Sequence, residues 1–202
     1  MIDATTIERR FRAAGSDKHI HGYHEYYQQI MDENVNSILE IGIKAGASLF
    51  AWKQLLPRAK IAGMDINPEE LTEAGYVSLT RRGIDCVFGD STNKEHTERV
   101  KGNFDIIIDD GSHFYVDIMA TFENFKDRFN KYYIIEDSMY DHEGVVEFIK
   151  SKGFSNVEVY DSKWKVDVSV SEEFLKYGTL STNKKFTKKT LRTTLKWIKV
   201  TK

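Results

Sequence analysis

Ser37-Ile-Leu-Glu-Ile-Gly-Ile-Lys-Ala-Gly46 is the stretch whose reading decides the fold. A short apolar run carries one carboxylate, Glu40, and ends at Gly42; a loose glycine loop follows, and then an amphipathic segment. That order reads as buried strand, tight turn and helix. The helix is expected over 48–56, with Leu49, Trp52, Leu55 and Leu56 on one side and Pro57 stopping it. The same unit recurs along the chain. Strands are expected at 60–66, 84–88, 104–108, 132–135 and 157–160. Helices are expected at 69–82, introduced by Pro68 and closed by Gly83, and at 92–100, 115–129 and 143–152. Residues 166–170 and 196–200 read as further strands with an unassigned stretch between them. Residues 7–12 and 23–31 read as two helices ahead of the sheet. This alternation predicts an α/β fold, a Rossmann-like, doubly wound, mostly parallel seven-stranded sheet with helices on both faces. One domain of 202 residues is expected: a helical lid over 1–33, a core over 34–173, and a C-terminal segment over 174–202 that completes the sheet. Ligands of such sheets bind at the carboxyl ends of the strands.

Composition narrows the class. Hydrophobic residues are 41% and charged residues 30%, the balance of a soluble globular domain. A single cysteine, Cys86, excludes an intrachain disulfide and fits a reducing compartment, so a cytoplasmic protein is expected. The N-terminal residues hold no apolar core of signal-peptide length, and no run approaches the roughly 20 apolar residues of a membrane span. The net charge of −2 conceals an asymmetry: residues 174–202 contain nine Lys/Arg and no Asp/Glu, which leaves 20 basic against 31 acidic residues before them. A basic tail on an acidic body suits either a polyanion such as nucleic acid or a Lys-rich edge strand and hairpin. Phe186, Leu191, Leu195, Trp197 and Ile198 within it favour docking on a core, so nucleic acid is not the favoured partner.

The chemistry-bearing residues stand at the predicted strand ends. Gly42 and Gly46 give G-x-x-x-G, where a dinucleotide site would show G-x-G-x-x-G. Asp65 ends the second strand about 20 residues on, where a carboxylate can accept ribose hydroxyls. Gly89-Asp90-Ser91 ends the third strand; Asp90 there suits an adenine amino group, a helix cap, or both. Asp109-Asp110-Gly-Ser-His113 and Glu136-Asp137 each follow a strongly apolar run. On neighbouring strands these carboxylates would repel one another and call for a hard cation such as Mg²⁺. His113 then stands where a general base would be useful near neutral pH. His19, His21 and His24, with Tyr23, Tyr26 and Tyr27, lack the spacing of a zinc finger and read as lid residues facing a substrate.

Four segments together resemble the metal-dependent O-methyltransferases of macrolide sugar tailoring, the macrocin and mycinamicin group, whose relatives are often labelled cephalosporin hydroxylase-like. They are Gly15-Ser-Asp-Lys18 with His21, Tyr23 and Tyr27; Leu39-Glu-Ile-Gly42 through Leu49 and Trp52; Asp109-Asp-Gly-Ser-His113; and Ile135-Glu-Asp137. The resemblance implies that Asp110, Glu136 and Asp137 bind Mg²⁺ and that His113 is the acid/base residue. It implies an S-adenosylmethionine site formed by Glu40, Gly42, Asp65 and Asp90, with Gly46, Ser48, Ile66, Gly89, Ser91 and Asp109 beside them and Ser16 and Lys18 in a loop closing over it. The activity implied is Mg-dependent O-methylation of a hydroxyl on a sugar or related small molecule by a homo-oligomer. The chain differs from the family in lacking a long N-terminal extension and in its basic tail. Two alternatives are a methyltransferase acting on nucleic acid and an iron oxygenase, for which only the spacing His113-x-x-x-Asp117 speaks.

Overall fold

The computed structural model describes residues 1–67, 70–138, 142–170 and 189–202. The strands are β1 (Ser37–Ile41), β2 (Lys60–Asp65), β3 (Ile84–Phe88), β4 (Phe104–Asp109), β5 (Phe129–Ser138), β6 (Val157–Val170) and β7 (Lys189–Thr201). They form one sheet in the order β3-β2-β1-β4-β5-β7-β6. The first five run parallel; β7 is antiparallel to both β5 and β6. This is the mostly parallel, Rossmann-like sheet that the alternating pattern predicts. β1 and β4 lie at its centre because their residues are apolar on both faces, and all six residues of β4 are buried. From β1 the chain winds outward to β2 and β3, then returns to β4 on the other side. That reversal opens a crevice beyond the carboxyl ends of β1 and β4.

The helices are α1 (Ala4–Ala14), α2 (Lys18–His21), α3 (His24–Tyr27), α4 (Ala47–Leu55), α5 (Glu73–Arg81), α6 (Lys94–Thr97), α7 (Tyr115–Phe125) and α8 (His142–Ser151). The sheet divides the apolar interior in two. Ile106 and Ile108 of β4 face a core with Ile7, Phe11, Tyr27, Trp52 and Trp197, while Phe104 and Ile107 face one with Phe122, Phe125, Tyr133 and Ile149. Alternation over Ile106–Ile108, with a register irregularity between Phe104 and Ile106, is what covers both faces. In the first core Trp52 meets Phe11 and Tyr27 edge-on, each with ring centroids 4.8 Å apart. These contacts tie the N-terminal helices to the sheet.

Several expected boundaries move. Residues 23–31 hold only the single turn of α3 followed by a turn, not one helix. The helix expected to reach Phe129 stops at Phe125. There the guanidinium of Arg128 donates to the carbonyls of Thr97 and Gly102, each at 2.9 Å, which turns the chain so that Phe129 begins β5. Residues 157–160 and 166–170 belong to one strand with a register irregularity between Asp161 and Lys165. The C-terminal strand is no edge strand, as the charge pattern suggested: β7 is inserted between β5 and β6. Its buried Trp197, Ile198 and Val200 require cover on both sides, and Lys199 is neutralised by Glu158 at 2.7 Å. Pro68, Phe186 and the rest of 171–188 lie outside the described residues. Among the described residues no helix is long and apolar enough to cross a membrane.

Candidate active site

The glycine loop after β1 is organised from β2. Asp65, the last residue of β2, accepts the backbone N–H of Ile43 (2.7 Å) and of Lys44 (2.8 Å) on Oδ2, and that of Asn67 (2.8 Å) on Oδ1. A carboxylate offers about four lone-pair positions, so three of them already hold the loop and about one is left for a ligand. Gly42 sits at φ +85°, where a Cβ would lie 2.0 Å from the carbonyl oxygen of Asp110. The loops leaving the parallel neighbours β1 and β4 approach this closely only because that side chain is absent. A cleft of about 340 Å³ opens here, lined by Gly42, Asp65, Ile66, Gly89–Ser91, Asp109 and Asp110. A second cavity of about 170 Å³ adjoins it, between the Gly15–Lys18 turn and the glycine loop, with Ser48 in its wall. Gly42, Lys44 and Asp110 line both.

Other expected cofactor residues are placed as follows. Asp90 lines the cleft and also holds its own turn, accepting from Thr92 N–H (2.8 Å) and Thr92 Oγ1 (2.7 Å) on Oδ1. Ser91 Oγ pairs with Thr121 Oγ1 at 2.9 Å. Ile66 is exposed at the cleft mouth. Gly46 begins α4 at φ +78° and, like Glu40, lines neither cavity. Glu40 is instead fully buried and accepts from Trp52 Nε1 at 3.0 Å. Asp109 is buried beneath the cleft, and that burial raises its carboxyl to about 7.

Beside the cleft, at Asp110 in its wall, acidic groups converge. Ligand atoms of Asp110, His113 and Asp137 lie within 4.8 Å of one another. Asp137 is held from the N-terminal segment by Tyr23 Oη, through a short hydrogen bond, and by His21 Nδ1 at 3.2 Å. Burial opposes its ionisation, but these two contacts outweigh burial and keep its pKa low. Glu136 points away from this group, toward Lys18 and Tyr27, both in short contacts. Burial drives the Glu136 carboxyl well above the ordinary carboxylate range. Lys18, 1% exposed, sets its ammonium 2.6 Å from Asp110 Oδ2 and 3.0 Å from Glu40 Oε1 as well. Burial alone would lower the amine's pKa, but Asp110, Glu136 and Glu40 raise it well above the normal value, so the group is a cation.

Lys44, His113 and Asp137 have φ of +46°, +63° and +53°. Each such backbone costs on the order of 1–3 kcal/mol, and all three gather at this site. His113 Nε2 lies 3.9 Å from Asp110, and its Nδ1 is buried without a hydrogen-bond partner among the described residues. Oxygen donors with a single imidazole fit a hard divalent cation better than the two-histidine, one-carboxylate set of an iron oxygenase. Asp117 is instead engaged by Ser112 Oγ at 2.6 Å.

The lid reading of the tyrosines needs correction. Tyr23 and Tyr27 are fully buried under the carboxylates rather than facing a substrate, because their hydroxyls are the partners of Asp137 and Glu136. His19 and His24 diverge, the first to the Ser16 carbonyl at 2.5 Å and the second toward Glu8 at 4.0 Å, so the three histidines share no centre. Asn67, Glu70 and Thr121 also line the cleft and carried no signal in the sequence beyond polarity.

No protein-family model matches the chain. It is 32% identical over 110 residues to mycinamicin VI 2''-O-methyltransferase of Micromonospora griseorubida, covering 50% of this chain and 26% of that enzyme. It is also 32% identical over 126 residues to L-olivosyl-oleandolide 3-O-methyltransferase of Streptomyces antibioticus, covering 57% and 31%. The chain therefore spans about a quarter to a third of the length of these relatives. Among solved structures, MycE methyltransferase from the mycinamycin biosynthetic pathway, in complex with Mg and SAH, superposes with a TM-score of 0.55 at 26% identity, over 65% of this chain and 37% of that one. A precorrin-6y C5,15-methyltransferase from Geobacter metallireducens shares the fold alone, with a TM-score of 0.56 at 16% identity over 86% of this chain and 83% of its own. The chain has a class I S-adenosylmethionine methyltransferase fold, and its curated homologues are mycinamicin-type sugar O-methyltransferases.

Proposed function

We propose that the protein is a Mg²⁺-dependent S-adenosylmethionine O-methyltransferase acting on a hydroxyl of a sugar or related small molecule. The observation that carries this reading is the convergence of His113 and Asp137 on Asp110, which itself lines the cleft at the glycine loop. The cleft wall bears Asp65, Glu70, Asp90, Asp109, Asp110 and Asp117 against Lys44 as its one cationic side chain among the described residues. Such a field favours a cofactor carrying sulfonium and ammonium charges and disfavours pyrophosphates and nucleic acid. It also argues for a neutral acceptor. The free thiol of Cys86 accords with a cytoplasmic setting. The family resemblance adds the expectation of a homo-oligomer, which light scattering on the purified chain decides.

When bound, Mg²⁺ supplies a Lewis-acid charge that lowers the pKa of an acceptor hydroxyl, and S-adenosylmethionine supplies the methyl group. Asp110 and Asp137 would hold the ion, with Glu136 behind them. Asp65 uses its remaining acceptor position on a ribose hydroxyl, and Asp90 and Ser91 bound the adenine end. Ser16 and Ser48 flank the second cavity at the methionine end. His113 takes the hydroxyl proton, a contribution of about 10²- to 10⁴-fold. The test is calorimetric titration of S-adenosylmethionine and S-adenosylhomocysteine, with Mg²⁺ and with EDTA, followed by a methyl-transfer screen of sugar acceptors. Cofactor binding, a Mg²⁺ site lost in Asp137→Ala, and turnover lowered in His113→Ala without loss of cofactor affinity are expected. No cofactor binding under either condition overturns the reading.

A further inference from the structure

Among the described residues, Lys18 is the one lysine whose ammonium lies inside a group of four buried or half-buried carboxylates. Its Nζ contacts Glu40, Asp110 and Glu136, while Asp137 stands beyond Asp110 on the far side. Asp110 is shared: Oδ2 faces the lysine and Oδ1 faces His113. The same carboxylate thus serves two cation positions, one filled by the protein itself. A loop residue from the α1–α2 turn reaches this place because Ser16 and Lys18 are both buried and the turn is pinned by Gly15 N–H on the Arg12 carbonyl and Ser16 N–H on the Phe11 carbonyl. Carboxylates buried together repel one another when ionised, and the cluster relieves this by holding protons, as at Glu136, and by the Lys18 ammonium. The ammonium offsets part of that charge without any ligand. It must therefore also repel a divalent ion and compete with it for Asp110 and Glu136.

We propose that Lys18 is an internal counter-cation of the carboxylate cluster, which holds the fold together without metal and keeps the divalent ion loosely bound; this rests on the metal-dependent reading above. The test uses the full chain with Mn²⁺ as the probe, free ion being counted by electron paramagnetic resonance and melting followed in Mn²⁺ and in EDTA. Lys18→Met is expected to bind Mn²⁺ at least tenfold more tightly than wild type, and its melting temperature should fall in EDTA far more than that of wild type. Lys18→Arg, which keeps the charge, should bind like wild type. Should Lys18→Met not fold, the comparison moves to Glu40→Gln against Lys18→Met/Glu40→Gln, where a lost carboxylate balances the lost ammonium. Glutamine at 40 still accepts from Trp52, and the same tenfold gain is expected. Affinity unchanged or weakened on removing Lys18, or a double variant that stays unfolded in millimolar Mn²⁺, overturns the proposal while a binding wild type leaves the metal reading standing. Absence of Mn²⁺ binding in wild type and variants alike overturns both.

Discussion

Replacing Asp65 tests whether β2 builds the glycine loop. Its carboxylate accepts three backbone N–H groups at 2.7–2.8 Å and is 8% exposed. In Asp65→Asn the amide oxygen can keep the Ile43 and Lys44 pair, but the NH₂ group then opposes the Asn67 N–H. One charge-assisted bond is lost, worth roughly 1.5–3 kcal/mol, and the other two fall to neutral strength. Partial rehydration at the cleft edge recovers some of this, so a loss of about 2–3 kcal/mol is expected. Asp65→Ala orphans all three donors and releases the loop from the left-handed backbone at Lys44, raising the loss to about 4 kcal/mol. Urea unfolding followed by circular dichroism reads both, and cofactor titration reads the loop separately. Asp65→Asn should weaken cofactor binding by more than its stability loss explains, since under the proposed function loop and ribose share one carboxylate. A value for Asp65→Asn within about 0.5 kcal/mol of wild type, or Asp65→Ala no worse than Asp65→Asn, would refute the argument.

Two glycines give a paired prediction. Gly42→Ala meets the Asp110 carbonyl at 2.0 Å in a left-handed backbone, and should cost about 3–5 kcal/mol and abolish cofactor binding. Gly83→Ala has φ +68° but nothing within 4 Å of its Cβ, so about 1 kcal/mol and normal binding are expected from the same measurements. For Cys86, burial and the neighbouring Asp85 push the thiol up to about 11. Its folded pKa lies above that of a free thiol, so the thiolate stays scarce through mildly alkaline pH. Alkylation by iodoacetamide should still rise nearly tenfold between about pH 9 and 10, where an ordinary thiol has almost levelled off.

What was readable in the sequence follows from what local patterns record. Apolar runs such as Phe104–Ile108 show that a strand is buried, and the residue that breaks the run shows where it emerges. Asp65, Asp90, Asp110 and Asp137 stand out in this way, at or just past the ends of apolar runs, without any knowledge of which strands are neighbours. The place of β7 could not be found so, because its apolar residues say that it is covered but not that β5 and β6 cover it. Helix ends failed where a distant group decides them: Phe125 ends α7 because Arg128 reaches carbonyls up to 31 residues away. Lys18 shows the limit most clearly. In Gly15-Ser-Asp-Lys18 it sits in a short polar segment that carries no local sign of burial. Its actual partners are 92 and 118 residues further along the chain. The carboxylates did hold an indirect signal. Glu40 interrupts an apolar run and Glu136 follows one directly, and a carboxylate buried there needs a cation or a proton donor. A metal ion answers for the carboxylates at the strand tips. It does not answer for Glu40, which stands opposite Ile108, two residues deeper in the sheet than Asp110, and is bonded to Trp52. Its partners come from the chain itself: the Trp52 indole N–H on one oxygen and the Lys18 ammonium beside the other.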